Sequence, residues 1–254
     1  MTRFTEQELS CDAFLGGKFH LFQPHNGYRA GVDPVFLAAS VPAQSGQAVL
    51  ELGCGAGAAI LSLATRVPDL VLSGVEIQPA YADLARRNAA HNGVALEVIE
   101  SDLANLPAPL RKRQFDHLLA NPPYFRGGAH CPARDAGRRR ALGEETPLTL
   151  WIDTAARRLR SRGYLHMIQR VERLPDMVSA CEGRLGSLEV LPLAARTGRH
   201  PDLVILRARK GGRADFRLLA PLILHAGARH ERDAESYRPE IQDVLRNGTA
   251  LRWP

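Results

Sequence analysis

Residues 48–58 read Ala48-Val49-Leu50-Glu51-Leu52-Gly53-Cys54-Gly55-Ala56-Gly57-Ala58, a run with strand character that passes directly into a glycine-rich turn. Glycine allows a sharp bend and close approach to a ligand, and the first turn of a following helix offers unpaired N–H groups to it. Ile60, Leu63, Ala64 and Val67 then recur at helical spacing. The stretch therefore predicts a strand, a nucleotide-binding turn and a helix.

The same alternation continues outward. Val71–Glu76 predicts a second strand, and Pro79 opens a helix where its missing N–H costs nothing. Tyr81, Leu84, Ala85 and Asn88 share a face of that helix, and Gly93 reads as its stop. Residues 96–99 and Phe115–Ala120 predict the third and fourth strands. Thr146 and Pro147 read as the cap and first turn of a helix with Leu148, Trp151, Ile152, Ala155 and Leu159 on one stripe, closed by Gly163. Residues 164–168, 188–193 and 203–206 complete the set as strands five to seven, with short extra strands near 216–219 and 222–224 and a terminal helix through Ile241, Val244 and Leu245. The fold class is α/β: a Rossmann-like, seven-stranded, mostly parallel sheet with helices on both faces.

Residues 47–210 form the core in this reading, preceded by a cover segment, 1–46, and followed by a C-terminal extension, 211–254. Residues 15–41, rich in aromatics and glycine, are expected to lie over the cofactor pocket, with Asp33 capping the helix that Pro34 begins. The proportions of 45% hydrophobic and 24% charged residues are those of an ordinary globular chain. No stretch is apolar for long enough to cross a bilayer, and the opening residues lack a signal-peptide layout, so a soluble cytoplasmic protein without a membrane partner is expected. Cys11, Cys54, Cys131 and Cys181 lie far apart without histidines at ligand spacing, which predicts free thiols and no metal. The net charge of +6 points to a polyanionic partner such as RNA. Arg138, Arg139 and Arg140 stand together in a basic, glycine-rich loop, 125–145, that is a candidate for holding it.

Gly53, Gly55 and Ala58 also fit the dinucleotide pattern, so an NAD-dependent oxidoreductase is a rival. Glu76 sits where either cofactor wants a carboxylate for its ribose hydroxyls. Glu51 favours S-adenosylmethionine, since it can receive an ammonium or order the loop but is unwelcome beside a pyrophosphate. Asp102, after the third strand, can accept an adenine amino group.

The fourth strand runs into Asn121-Pro122-Pro123-Tyr124. Two prolines make a rigid turn at the carboxyl end of the sheet, where such folds bind ligands. An amide or aryl amine must pyramidalise before it attacks a sulfonium methyl. The Asn121 side-chain oxygen and the Pro122 carbonyl can hold both of its N–H bonds in that geometry without a strong base. Tyr124 offers a face on which a flipped base can stack. Phe125 and Arg126, which follow, are further substrate-binding candidates.

With these residues the chain resembles the class I methyltransferases that modify exocyclic or amide nitrogen, and within them the bacterial tRNA1(Val) (adenine-37-N6)-methyltransferase family. The resemblance spans residues 19–209 and rests on FHLFQPHNGYRAGVDPVFLAA, VLELGCGAG, GVEIQ, RRNAAHN, ESDL and FDHLLANPPYFRGG. It implies contact with S-adenosylmethionine by Glu51, Gly53, Gly55, Gly57, Glu76, Asp102 and Asn121, catalysis at Asn121, Pro122 and Tyr124, and methylation of an adenine N6 in tRNA. Relatives that share the tetrad act on ribosomal RNA, DNA or a protein glutamine, but usually carry a further domain for which little chain remains here. A non-catalytic RNA-binding protein is the alternative outside enzymes. The intact glycine turn and tetrad argue against it.

Overall fold

The computed structural model describes residues 3–124, 146–227 and 236–253. Phe125, Arg126, Cys131 and the three adjacent arginines lie outside the described residues.

In chain order the elements are β1 (Leu9–Phe14), β2 (Phe19–Pro24), α1 (Asp33–Ala39), β3 (Ala48–Leu52), α2 (Ala58–Arg66), β4 (Val71–Glu76), α3 (Pro79–His91), β5 (Leu96–Glu100), α4 (Ala108–Arg111) and β6 (Phe115–Ala120). They continue with α5 (Leu148–Arg158), β7 (Leu159–Arg170), α6 (Leu174–Cys181), β8 (Gly186–Ala194), β9 (Leu203–Arg209), β10 (Arg217–Leu218), β11 (Leu222–Ile223) and α7 (Pro239–Gln242), which runs into a π turn at Asp243–Asn247.

The central sheet has the order β10-β8-β9-β7-β6-β3-β4-β5, with β11 also on β8. Pairings from β7 through β6, β3 and β4 to β5 are parallel, and β9 runs antiparallel between β7 and β8. The seven long strands are those expected, joined by two two-residue strands at one edge. The chain moves from β3 outward to β5, then returns to place β6 on the other side of β3. That reversal opens a crevice at the carboxyl ends of β3 and β6, the place where sheets of this kind bind ligands.

Alternate residues face opposite layers, as the pleat requires. Val49, Leu119, Ile168 and Ile205 pack with α1, α2, part of α3 and the C-terminal Ile241 and Val244. Leu50, Leu118, Met167 and Leu206 pack with α5 and α6.

The N-terminal segment holds an antiparallel hairpin, β1 with β2, which the sequence pattern did not reveal. Its outer edge is satisfied by two asparagines one turn apart, Asn88 on α3 and Asn92 at its C-cap. Asn88 accepts the Phe22 N–H at 2.7 Å and donates to the Phe22 carbonyl at 3.1 Å, while Asn92 accepts the His20 N–H at 2.9 Å and donates to its carbonyl at 2.7 Å. These amides do for β2 what a neighbouring strand would. Asn88 also donates to the Ala56 carbonyl at 2.9 Å and so ties the hairpin to the glycine turn.

Four local expectations need correction. Thr146 does not cap α5: Pro147 takes the cap position with extended backbone, its φ of −66° being compatible with that role. Gly163 does not stop that helix, which ends at Arg158. It lies in β7, where the pairing with β6 shifts between Phe115 and His117 and where a Cβ would fall 2.9 Å from the Asp116 carbonyl oxygen. Asp33 is the first helical residue of α1, after Val32 in the cap position, and its carboxylate is used elsewhere. The third strand runs one residue further, to Glu100.

Asn88 is fully buried, and its loss would strand both Phe22 backbone groups. Asn88→Ala is expected to lower unfolding free energy by about 2–3 kcal/mol, and Asn92→Ala, at a more exposed position, by less. Urea denaturation of the two variants measures this.

Candidate active site

The glycine turn that closes β3 has left-handed backbone at Gly53 and Gly55, with φ of +63° and +53°. A Cβ on Gly53 would lie 2.5 Å from the Trp151 ring, so the α5 tryptophan sits directly against the turn. Around Gly55 a Cβ would meet nothing within 4 Å, so there the backbone, rather than packing, calls for glycine. Gly57 caps α2.

Two buried carboxylates brace this turn. Glu51, only 3% exposed on β3, accepts the Ile60 N–H at 3.0 Å in the first turn of α2. Glu76, at the end of β4, accepts the Gly55 N–H at 2.9 Å through one oxygen and the Gln78 N–H at 2.8 Å through the other. Burial pushes the Glu51 carboxyl up to about 8, with Glu76 adding to the effect, and burial also raises Glu76. Glu51 thus ties β3 to the first turn of α2. A carboxylate held near neutrality for want of solvation is one that a cationic ligand would return to its charged form. Asp102 lies two residues past β5 and caps a short 3-10 turn by accepting the Ala104 N–H at 2.9 Å.

Across the crevice, Asn121-Pro122-Pro123-Tyr124 leaves the end of β6. Gln169, fully buried near the end of β7, donates to the Pro122 carbonyl at 3.1 Å and to the Pro123 carbonyl at 3.3 Å. One lone pair of the Pro122 carbonyl is thus engaged and a second is left for an acceptor nitrogen. The Tyr124 hydroxyl donates to the Asp33 carboxylate at 2.5 Å, and the Arg170 guanidinium stands 5.8 Å from the ring centroid. Burial and Asp33 push the Tyr124 phenol far above its ordinary range.

The N-terminal segment reaches into the same space. Tyr81 clamps the backbone of Tyr28, accepting its N–H at 2.7 Å and donating to its carbonyl at 3.0 Å. Burial, with Asp33 and Glu51 nearby, pushes the Tyr28 phenol up to about 12. The residue as a whole is 43% exposed. The structure brings together Glu51, Glu76 and the glycine turn on one side and Asn121, Pro122 and Tyr124 on the other. Tyr28, Gln169 and Arg170 were missed. Only Tyr28 had a visible signal, as an aromatic between Gly27 and Gly31 in the cover segment. An apolar groove of about 570 Å3 along α6, lined by residues such as Leu174, Val178 and Leu185, shares no residue with this crevice.

Residues 30–191 match the model of the methyltransferase small domain family. The chain belongs to that family. A Porphyromonas gingivalis protein named tRNA1(Val) (adenine(37)-N6)-methyltransferase is 32% identical over 211 residues, which cover 78% of this chain and 80% of that protein. A Dickeya chrysanthemi protein of the same name is 26% identical over 84% of this chain and 85% of its own length. Among solved structures, an Agrobacterium tumefaciens protein described as a predicted O-methyltransferase superposes with a TM-score of 0.69 at 28% identity, covering 87% of this chain and 98% of that one. The T. thermophilus 16S rRNA N2 G1207 methyltransferase, solved with AdoMet and guanosine, gives 0.53 at 20% identity over 80% of this chain and 50% of that one, a likeness of fold. Membership of a methyltransferase family removes the oxidoreductase rival, and the class I methyltransferase fold is the one observed. No helix among the described residues is long and apolar enough to cross a membrane.

Because folding raises the Glu51 carboxyl from 4.5 to about 8, its protonated form is favoured in the folded state. The stability this contributes is complete below pH 4.5 and is lost as pH rises through 8. Glu51→Gln, which keeps an oxygen for Ile60, should therefore be the more stable protein at pH 9, on the order of a few kcal/mol, and nearly equal to the parent at pH 4. Thermal melts across that range check the sign.

Proposed function

We propose that the protein transfers a methyl group from S-adenosylmethionine to the N6 amine of an adenine in tRNA. The observation that carries this reading is that Asn121 follows the end of β6, directly beside the end of β3 and its carboxylate-braced glycine turn. The buried Glu51 fits the group, because a carboxyl left near neutrality beside an open turn is complementary to an ammonium. In this reading Glu51 holds the ammonium, Glu76 the ribose hydroxyls and Asp102 the adenine amine, while Gly53, Gly55 and Gly57 let the backbone approach. When bound, the cofactor supplies an electrophilic methyl on a sulfonium.

The acceptor is the business of the tetrad. The Asn121 oxygen and the second lone pair of the Pro122 carbonyl hold the two N–H bonds of the amine and favour its pyramidal geometry. The nitrogen becomes acidic only after transfer, so water can take the proton. Tyr124 stacks the base, with Phe125 and Arg126 as further contacts to the RNA. The scheme involves no metal. Residues 1–46 act as cover to the pocket, residues 211–254 as an extension of the core, and the setting is the cytoplasm. An oxygen acceptor is disfavoured because a hydroxyl needs a base to remove its proton, whereas the tetrad offers neutral hydrogen-bond acceptors.

Incubation with methyl-labelled S-adenosylmethionine and separate pools of tRNA, ribosomal RNA, DNA and protein tests the proposal. N6-methyladenosine from digested tRNA is expected. Label confined to another pool, or carried on oxygen, would contradict it. Asn121→Ala should slow transfer by roughly 10²-fold or more with little change in cofactor affinity. Near-normal transfer by that variant would reduce the tetrad to a structural turn.

A further inference from the structure

Asp33 lies in the N-terminal segment, far in sequence from the tetrad, yet its carboxylate engages a group in the crevice. It accepts the Tyr124 hydroxyl at 2.5 Å, while the Arg170 guanidinium sits over the same ring at 5.8 Å from its centroid. Asp33 is fixed in its turn: it opens α1, whose residues Pro34 to Ala39 are all buried in the core. The turn that carries Tyr124 is held from beneath by the paired hydrogen bonds of Gln169 to Pro122 and Pro123. A tyrosine in a turn beyond a strand has two side-chain torsions free to turn. A stacking platform is useful only if they are fixed before the base arrives.

We propose that Asp33 is a positioning residue of the acceptor site: by accepting the Tyr124 hydroxyl it locks the ring, with Arg170 on one face, so that the opposite face receives the target base. The proposal rests on the reading that Tyr124 stacks the base. It gives the tyrosine hydroxyl a purpose that stacking alone does not need, since a phenylalanine has the same face. It also links N-terminal segment and chemistry, because displacing α1 would release the ring.

The variants Asp33→Ala, Asp33→Asn, Tyr124→Phe, Tyr124→Ala and the double variant Asp33→Ala/Tyr124→Phe are compared in methyl transfer to tRNA, with kcat and KM resolved. Their unfolding is followed in parallel, so that rates are compared only between folded proteins. Asp33→Ala and Tyr124→Phe are each expected to lower kcat/KM by roughly tenfold. The double variant should be no worse than either, because both remove one hydrogen bond. Asp33→Asn, whose amide oxygen accepts the same bond, should retain most of the activity. In proton NMR of the free protein a downfield hydroxyl resonance should be present and disappear in both single variants. Additive losses in the double variant, or an Asp33→Asn as damaged as Asp33→Ala, would overturn the positioning role while leaving Tyr124 stacking intact. A Tyr124→Ala with normal transfer would overturn the stacking reading, and the proposal with it.

Discussion

Two carboxylates removed from water, Glu51 on β3 and Glu76 on the adjacent β4, set the shape of the crevice. Placing such groups in the interior is unfavourable unless donors meet them. Here the donors are backbone N–H groups of the chain segments that must bend: Ile60 at the start of α2, Gly55 within the turn and Gln78 at the start of the next connection. The same bonds that make the buried oxygens tolerable therefore fix where the turn runs and where the helix begins. They do not restore full ionisation to Glu51, which burial holds near 8. Among the described residues no cation is hydrogen-bonded to Glu51, which is the physical ground for proposing a cationic ligand there.

The opposite wall is rigid for a different reason. Prolines set the backbone of the tetrad, but its carbonyls and its tyrosine are held by residues remote in sequence: Gln169 beneath, Arg170 over the tyrosine ring, and Asp33 from the N-terminal segment. That segment is itself stitched to α3 by Asn88 and to its C-cap by Asn92, and Asn88 reaches the glycine turn through Ala56. The two walls are thus braced through one hydrogen-bonded path, in keeping with a reaction that needs its donor and acceptor aligned to within a fraction of an ångström.

Most of the sheet was legible because each strand buried on both faces leaves a local apolar run, and because the glycine turn and the double proline are punctuation that few other structures need. The residues Glu51, Glu76 and Asn121 were legible for the same reason: each sits at a fixed offset from such a mark. What escaped has no local period. The β1–β2 hairpin takes its edge partners from a helix and not from a strand, so alternation within the segment could not announce it. The irregular pairing of β7 with β6 hid the entry of that strand behind a glycine that resembled a helix stop. Asp33 carried a familiar capping signal ahead of Pro34, yet its carboxylate bonds a hydroxyl 91 positions away, a choice visible only when the fold places the two side by side.

The account stands or falls on whether the carboxylate-braced turn and the tetrad face one shared ligand space. A crystal structure of the protein with S-adenosylhomocysteine, the demethylated cofactor, tests this most directly. The account predicts the ligand in the crevice between the ends of β3 and β6, in contact with Glu51 and Glu76 and open toward Asn121. A ligand bound elsewhere with the crevice empty, or one seated there with its ammonium away from Glu51, would contradict it.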